Sequence, residues 1–218
     1  MRIALILNNI PFEDNRISLM NLEEDWFGGL KPKTKYGSVP ILEVDGEEYH
    51  QSGSILRLIG TMGDGSLYPS GDYKMTAKIE EMINLADEWW EKWNVGIWLG
   101  FGFHAKYAHP TDWPAKDEEL KGLRATFVKD ELPRFLGHVT SEIKSSGGPF
   151  ICGAKPTIAD IQWFCQVHEL TYGTVHGAFM PPLAVATDVL DDYPDILAWL
   201  DAVKGLVDSA PEISSLNK

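Results

Sequence analysis

The sequence has few basic residues for its number of acidic ones. Its 19 Lys and Arg residues stand against 32 Asp and Glu, so the chain carries a formal net charge of −13. An average surface of this sign repels both a phosphate backbone and an anionic bilayer. We therefore expect neither a nucleic acid nor a membrane as a partner.

Cysteine is scarce, and histidine lacks the spacing of a metal site. The two cysteines, Cys152 and Cys165, can form neither a disulfide framework nor a CxxC redox pair, which is typical of a reducing, cytoplasmic protein. No pair of the six histidines has the i, i+4 spacing with a Glu that a zinc hydrolase uses. We expect no bound metal.

Long apolar runs, internal repeats and low-complexity segments are also missing. The first residues, MRIALILNN, contain one basic residue and a short apolar run with no small-residue cleavage pattern, so they do not resemble a signal peptide. No other stretch approaches the roughly 20 apolar residues of a membrane span. A cytoplasmic location is the expectation.

The composition changes along the 218 residues and predicts two units. Residues 1–62 alternate short helical and strand-like pieces, whereas residues 73–218 show mainly helical periodicity. Between them, Gly63–Asp72 reads GDGSLYPSGD, a glycine- and proline-containing segment typical of a linker.

Short elements are predicted in the first unit. The apolar run within Arg2–Asn9 is compatible with a buried helix end or a buried strand, and Phe12–Ile17 with a short edge strand. Asp45-Gly46 lies between two short runs within Val39–Tyr49, which predicts a hairpin. Ser52 is then expected to begin an amphipathic helix.

Long helices are predicted in the second unit. Apolar residues recur at three- and four-residue steps in Tyr73–Trp98 and in Asp117–Lys144, where Pro133 predicts a kink. Thr157 with Asp160 resembles a capping box at the start of another helix. A last amphipathic helix is expected over Ile196–Val207.

Four segments of the chain carry a family resemblance. They are KYGSVPILEVDGEEYHQSGSILRLIG (Lys35–Gly60), the SLYP of the linker, ELPRFL (Glu131–Leu136) and FICGAKPTIADIQWF (Phe150–Phe164). Together they resemble the glutathione S-transferases, most closely the sigma-like, tyrosine-type class. The resemblance implies an α/β thioredoxin-like N-terminal domain that binds glutathione as co-substrate, followed by an all-α C-terminal domain, assembled as a homodimer.

Two residue pairs match the family's glutathione site. Val39-Pro40 matches a cis-proline turn whose backbone pairs with the cysteinyl part of the tripeptide; a plain strand entry with proline is the alternative. Gln51-Ser52 matches the γ-glutamyl carboxylate site, where a hydroxyl, an amide and free N–H groups of a helix converge. An ordinary Ser N-cap is compatible with that role.

Three further positions match the glutathione site less closely. Trp26 and Lys31 fall, after a one-residue insertion, where the family places an indole N–H and an ammonium against the glycyl carboxylate. A half-buried tryptophan and a surface lysine are the alternative. Asn84 stands where a partner subunit often supplies an acidic side chain, so a weaker, uncharged contact is expected there.

An aromatic set marks the region where the family binds its small apolar electrophile. It consists of Trp98, Phe101, Phe103, Tyr107 and Trp163. Core packing is the competing interpretation for each of them.

The family's catalytic tyrosine has no match in the sequence. Aligned on PFEDNRI, Met1 falls inside the family's first helix, so the first strand and the tyrosine loop are expected to lie upstream of Met1 in a longer natural chain. If Met1 is the natural start, Arg2–Leu7 could serve as a replacement strand. Tyr36, Tyr49 and Tyr107 do not match the motif, and the catalytic residue stays unknown.

The function expected from the resemblance is detoxifying glutathione transfer to apolar electrophiles. Two alternatives remain open. One is a non-catalytic glutathione-binding or scaffolding protein, and the other is a glutathione-dependent isomerase of the sigma class.

Overall fold

The computed structural model describes residues 1–17, 21, 23–100, 117–172, 174–175, 178–179 and 187–209. Its α-helices are α1 (Arg2–Leu7), α2 (Ser52–Thr61), α3 (Tyr73–Gly100), α4 (Asp117–Thr126), α5 (Leu132–Ser146), α6 (Ile158–Tyr172) and α7 (Pro194–Asp208). Its strands are β1 (Ile41–Val44), β2 (Glu47–His50), β3 (Thr174–Val175) and β4 (Ala178–Phe179). Shorter helical turns cover Glu23–Leu30, Lys31–Lys33, Phe127–Glu131 and Thr187–Leu190.

The predicted hairpin is present as β1 and β2. The two strands are antiparallel, with Val44 opposite Glu47 and Ile41 opposite His50. Asp45 and Gly46 form the two-residue turn with φ angles of 52° and 82°. Positive φ at both central positions is the geometry that matches the twist of the flanking strands, and a glycine adopts it without steric cost. The hairpin prediction is confirmed.

The segment before the hairpin differs from the prediction. The run at Arg2–Leu7 is a helix rather than a strand, and the edge strand predicted at Phe12–Ile17 is wrong because these residues form no strand. Phe12 is half-buried against the core, whereas the four residues from Glu13 to Arg16 are all polar and exposed, so the segment lacks the alternating apolar face of a half-buried strand. Asp14 instead accepts hydrogen bonds from Arg2 at 2.8 Å and Arg16 at 2.7 Å.

Helix α2 connects the hairpin to the helical unit. Its Ile55 and Ile59 are fully buried in the main core. At Gly60 a Cβ atom would lie 2.7 Å from the Cβ of Tyr68 and 2.8 Å from Cγ2 of Ile158. Because real Cβ contacts are longer than this, a glycine is required for the close approach of α2 to α6.

The main core lies among the long helices and is built around Trp89. Its ring makes edge-on contacts with Phe127, Phe135 and Trp163, at centroid distances of 5.4, 5.6 and 5.3 Å. Offset and edge-on aromatic pairs of this kind add stability beyond the area they bury. The apolar faces that the helical periodicity predicts in the second unit therefore bury large aromatic side chains.

The start of α6 is organised by a buried carboxylate. Asp160 accepts hydrogen bonds from the backbone N–H groups of Ile151 and Thr157, both at 2.8 Å, and from the hydroxyl of Thr157 at 3.0 Å. The indole N–H of Trp199 on α7 donates to the same carboxylate at 2.9 Å. The Thr157/Asp160 helix start is confirmed, and Asp160 also joins α6 to α7.

The helix predicted over Asp117–Lys144 is divided. Helix α4 ends at Thr126, a wider π-helical turn covers Phe127–Glu131, and α5 begins at Leu132. Pro133 lies in the first turn of α5, where its missing N–H costs nothing. The proline ring disfavours a regular α-turn before it, so the disruption lies upstream of Pro133 rather than at it. Within the described residues, no helix is long and apolar enough to cross a membrane.

Candidate functional site

The hairpin brings the two best-matched segments to one end of the sheet. Ile41 and His50 are Cα partners, so Pro40 and Gln51, their chain neighbours, lie at the same end of the strand pair. Cross-strand partners in an antiparallel pair are about 5 Å apart. The turn at Val39-Pro40 and the start of α2 at Gln51-Ser52 are therefore close in space, although eleven positions separate Pro40 from Gln51.

An aromatic contact fixes this end of the hairpin. The rings of Tyr36 and His50 meet edge to face, with centroids 5.4 Å apart. Nε2 of His50 lies 3.4 Å from a carboxylate oxygen of Glu48. The contact holds the loop that precedes Pro40 against the last residue of β2.

The Val39-Pro40 turn offers backbone groups to a ligand. The peptide bond between the two residues is cis, as the resemblance implies. The side chain of Val39 is 48% exposed, and β1 pairs with β2 alone among the described strands. An extended peptide can add to an open strand edge through main-chain hydrogen bonds.

The first turn of α2 is open to an anion. Gln51 and Ser52 are both exposed, no side chain caps the helix start, and its first turn contains no acidic residue. The first N–H groups of a helix lack intrahelical partners, and the helix dipole adds positive potential there. Gln51 also has a φ of 70°, which is uncommon for a residue with a side chain. Such backbone outliers concentrate at ligand-binding sites.

Trp26 and Lys31 lie on the helical turns that precede the hairpin. Trp26 is half-buried within Glu23–Leu30, and Lys31 is exposed at the start of the next turn. The ammonium of Lys31 lies 5.0 Å from the centroid of the Phe27 ring. The assignment of both residues to the glycyl carboxylate stays a prediction.

Comparisons with known proteins show which sequences the chain resembles. A family profile described as glutathione S-transferase, C-terminal domain, matches residues 103–208. Glutathione S-transferase 4 of Caenorhabditis elegans is 28% identical over 161 residues, which cover 74% of this chain and 69% of that protein. Glutathione S-transferase 1 of Ascaris suum is 51% identical over 153 residues, covering 70% of this chain and 64% of that protein.

A solved structure has a similar fold. The prostaglandin synthase D of Nilaparvata lugens aligns with a TM-score of 0.71 at 25% identity, covering 98% of this chain and 87% of that structure. Together, the comparisons show that the chain is similar to glutathione S-transferases. The fold is that of these transferases, with a small α/β unit followed by a helical one.

The aromatic residues expected in the electrophile site of a transferase fall into three groups. Phe101, Phe103 and Tyr107 lie outside the described residues, and Trp98 is on the described backbone of α3. Trp163 is fully buried, and its indole N–H donates to the carbonyl of Met82 at 2.8 Å. These contacts favour the core-packing alternative for Trp163, because no part of its ring is open to a ligand.

A crevice lies between α3 and the segment formed by the end of α4 and the turn at Phe127–Glu131. Its volume is about 800 Å³, and its walls include Trp90, Asn94 and Val95 from α3 with Leu123 and Phe127 from the opposite side. Asn94 is 5% exposed, and its side-chain oxygen accepts no hydrogen bond from any residue that the structure describes. Because this oxygen is buried, it is not open to a ligand in the crevice.

Sequence reasoning missed a charged network beside the start of α2. Arg57 on α2 donates to both carboxylate oxygens of Glu80 on α3, at 2.8 and 2.6 Å, and the hydroxyl of Tyr68 donates to Glu80 at 2.8 Å. Hydrogen bonding by Arg57 lowers the pKa of Glu80, and the same bond raises the pKa of Arg57. Desolvation and the bond to Glu80 raise the pKa of Tyr68. Tyr68 and Arg57 are 12 and 23 positions away from Glu80 in the sequence, so no local spacing pattern could have linked them.

Two remaining expectations concern polar groups. Asn84 is exposed on α3, where a second chain could reach it. In the part of the chain that the structure describes, no three His, Cys, Asp or Glu side chains are grouped as metal ligands.

Burial raises the pKa of the Cys152 thiol to about 12, so this thiol is not a nucleophile near neutral pH.

Proposed function

We propose that this protein is a glutathione transferase that binds glutathione at the end of the β1–β2 hairpin and joins its sulfur to an apolar electrophile. The observation that carries the proposal is the uncapped, exposed start of α2 at Gln51-Ser52, which lies beside the Val39-Pro40 turn with its exposed Val39. A peptide-like ligand with an acidic end fits these two features together.

Each part of glutathione has a residue type to meet it. The γ-glutamyl carboxylate accepts hydrogen bonds from the first N–H groups of α2 and from the Ser52 hydroxyl. The backbone of Val39 pairs with the cysteinyl residue in the manner of an added strand. Lys31 and Trp26 supply an ammonium and an indole N–H for the glycyl carboxylate.

The reaction forms one bond from sulfur to carbon. The glutathione thiol loses its proton, the thiolate attacks an electrophilic carbon, and a leaving group departs or a double bond takes up the electron pair. A free thiol has a pKa of about 8.5, so lowering it by two units needs about 2.7 kcal/mol of selective stabilisation of the thiolate. We assign the group that stabilises the thiolate to no residue of this chain.

The electrophile is placed at the end of α3. Asn94 and Val95 line the crevice, and Trp98 follows them one helical turn later. The walls are mainly apolar, which suits an apolar ligand body, and Glu91, Lys92 and Glu131 also line the crevice. Phe101, Phe103 and Tyr107 are assigned to the electrophile by the sequence resemblance alone, because they lie outside the described residues.

The finer parts of the proposal follow the sequence resemblance. They are a sigma-like class, a homodimer, a cytoplasmic location and a detoxifying role. In a homodimer, Asn84 of one chain would offer an uncharged hydrogen-bond partner to glutathione on the other.

Affinity chromatography tests the binding step. The folded protein is expected to stay on immobilised glutathione and to elute with free glutathione, and the Ser52→Ala variant to elute earlier. A folded wild-type protein that flows through, with Ser52→Ala behaving identically, would contradict the proposal.

A related isomerase is the second candidate, because the aligned structure is a prostaglandin synthase. Both activities would use the same glutathione site. An assay with a chromogenic electrophile separates the transferase from a non-catalytic binding protein, which should give no rate above the spontaneous reaction. Turnover of a prostaglandin substrate, together with no conjugation of the chromogenic electrophile, would favour the isomerase.

A further inference from the structure

Arg57 is placed to control the first turn of α2. In a helix, side chains lean toward the N-terminus, so the side chain of Arg57 covers the turn before it. Its Nη1 donates to the carbonyl oxygen of Gly53 at 3.0 Å. Gly53 directly follows Ser52, and the contact therefore reaches the backbone that presents the open N–H groups.

The same guanidinium is fixed from the other side by α3. Its Nε and Nη2 donate to the two carboxylate oxygens of Glu80 at 2.8 and 2.6 Å. A two-bond pair between a guanidinium and a carboxylate restricts orientation as well as distance. Tyr68 donates to Glu80 as well, so the linker holds the carboxylate in place.

Gly53 leaves the space that this arrangement needs. A Cβ atom at position 53 would lie 3.0 Å from Nη1 of Arg57, which is tighter than most real Cβ contacts. The guanidinium thus lies directly against the backbone at the start of α2.

We propose that Arg57 is a positioning residue for the glutathione carboxylate, holding the first turn of α2 in place through Glu80 and Gly53. This inference rests on the proposed function. Hydrogen bonds from N–H to oxygen weaken quickly beyond about 3.2 Å. A small shift of this turn would therefore weaken several N–H contacts to the carboxylate at once.

Among the residues that the structure describes, the other ion pairs between helices do not involve α2. Lys144 of α5 lies 3.1 Å from Asp195 of α7, and the Lys144 side chain is 64% exposed. The pair is remote in sequence from α2 and makes one contact rather than two. It provides a matched control for the loss of an interhelical charge pair.

Calorimetric titration with reduced glutathione tests the assignment. The variants are Arg57→Met, Arg57→Lys and Glu80→Gln, with Lys144→Met as the control. We expect Arg57→Met to raise Kd about tenfold, which corresponds to about 1.4 kcal/mol. Arg57→Lys keeps the positive charge, but an ammonium cannot bond Glu80 and the Gly53 carbonyl with the geometry of a guanidinium. We therefore expect a smaller increase of Kd in Arg57→Lys, and likewise in Glu80→Gln. Lys144→Met should leave Kd unchanged.

Steady-state kinetics separate positioning from general loss of structure. Because the carboxylate is remote from the sulfur, KM for glutathione should rise in Arg57→Met, while kcat at saturating glutathione stays within about twofold. Urea unfolding at the same temperature establishes that each variant is folded. If Arg57→Met does not fold, Arg57→Lys and Glu80→Gln decide the test.

The outcomes distinguish the two proposals. Folded Arg57 and Glu80 variants with the Kd of the wild type would overturn the positioning role and leave the proposed function intact. An equal rise of Kd in Lys144→Met would also overturn it, because loss of any helix contact would then suffice. A folded wild-type protein that does not bind glutathione would overturn both.

Discussion

The hairpin end and the helical core use their residues in opposite ways. In the core, Trp89, Trp163 and Trp199 are fully buried and in contact with other helices, whereas the residues of β1 and β2 are half-buried or exposed. Around the hairpin, Phe27, Tyr36 and Val39 remain exposed. Stability is concentrated in the long helices, and the groups suited to glutathione are left accessible on the smaller unit.

Replacing one tryptophan in each region should give the largest contrast. We expect Trp163→Ala to lower the free energy of unfolding by about 4 kcal/mol, because a large cavity forms beside Trp89 and the Met82 carbonyl loses its donor. Trp26→Ala, at a half-buried position, should cost about 1 kcal/mol or less. Urea unfolding measures both. Equal losses would contradict the difference between the two regions.

Asp160→Ala should cost about 3 kcal/mol. The substitution leaves buried donors of Ile151, Thr157 and Trp199 without their acceptor. Thr157→Val is the graded control, since it removes only the hydroxyl bond and should cost about 1 kcal/mol. A loss in Asp160→Ala no greater than in Thr157→Val would show that Asp160 does not join α6 to α7.

The Arg57–Glu80 pair between the two regions should give a smaller, pH-dependent effect. The pKa of Glu80 is lowered below its reference value of 4.5 in the folded chain. Its contribution is therefore present above about pH 4.5 and is lost as the pH falls through the folded pKa. Because Glu80 is partly exposed, we expect less than about 1 kcal/mol.

Comparison of two pH values measures this contribution. The unfolding free energy of the wild type should fall more between pH 7 and pH 3 than that of Glu80→Gln. The opposite order would contradict the direction of the pKa shift.

Ser52→Ala should have the smallest effect on stability. No side chain caps α2, so removal of this hydroxyl should change the free energy of unfolding by less than about 0.5 kcal/mol. A capping serine would cost about 1 kcal/mol. Urea unfolding distinguishes the two values, and a loss near the larger one would assign Ser52 to the fold rather than to a ligand.

Local patterns in the sequence predicted much of this fold. Asp45-Gly46 specifies its turn through backbone conformations that few other pairs adopt, and Thr157 with Asp160 specifies a helix start within four residues. The long helices follow from apolar periodicity. In each case the signal and the structure involve neighbours in sequence.

The features that sequence patterns missed depend on contacts distant in sequence. The short run at Phe12–Ile17 resembled a strand, but strand formation needs a partner and an apolar face, and Asp14 pairs with Arg2 instead. The Arg57–Glu80–Tyr68 network joins α2, the linker and α3, and is visible only when these elements are assembled. Trp163 matched the electrophile region in the resemblance, while its indole bond to Met82 depends on the packing of α6 on α3.

Backbone amide shifts of ¹⁵N-labelled protein during titration with reduced glutathione test the central claim most directly. We predict that the amides of Ser52, Gly53 and Ser54 shift most, because they lie at the open start of α2. Tight binding with the largest shifts elsewhere and unchanged amides in this turn would contradict the account, as would the absence of any shift in the folded protein.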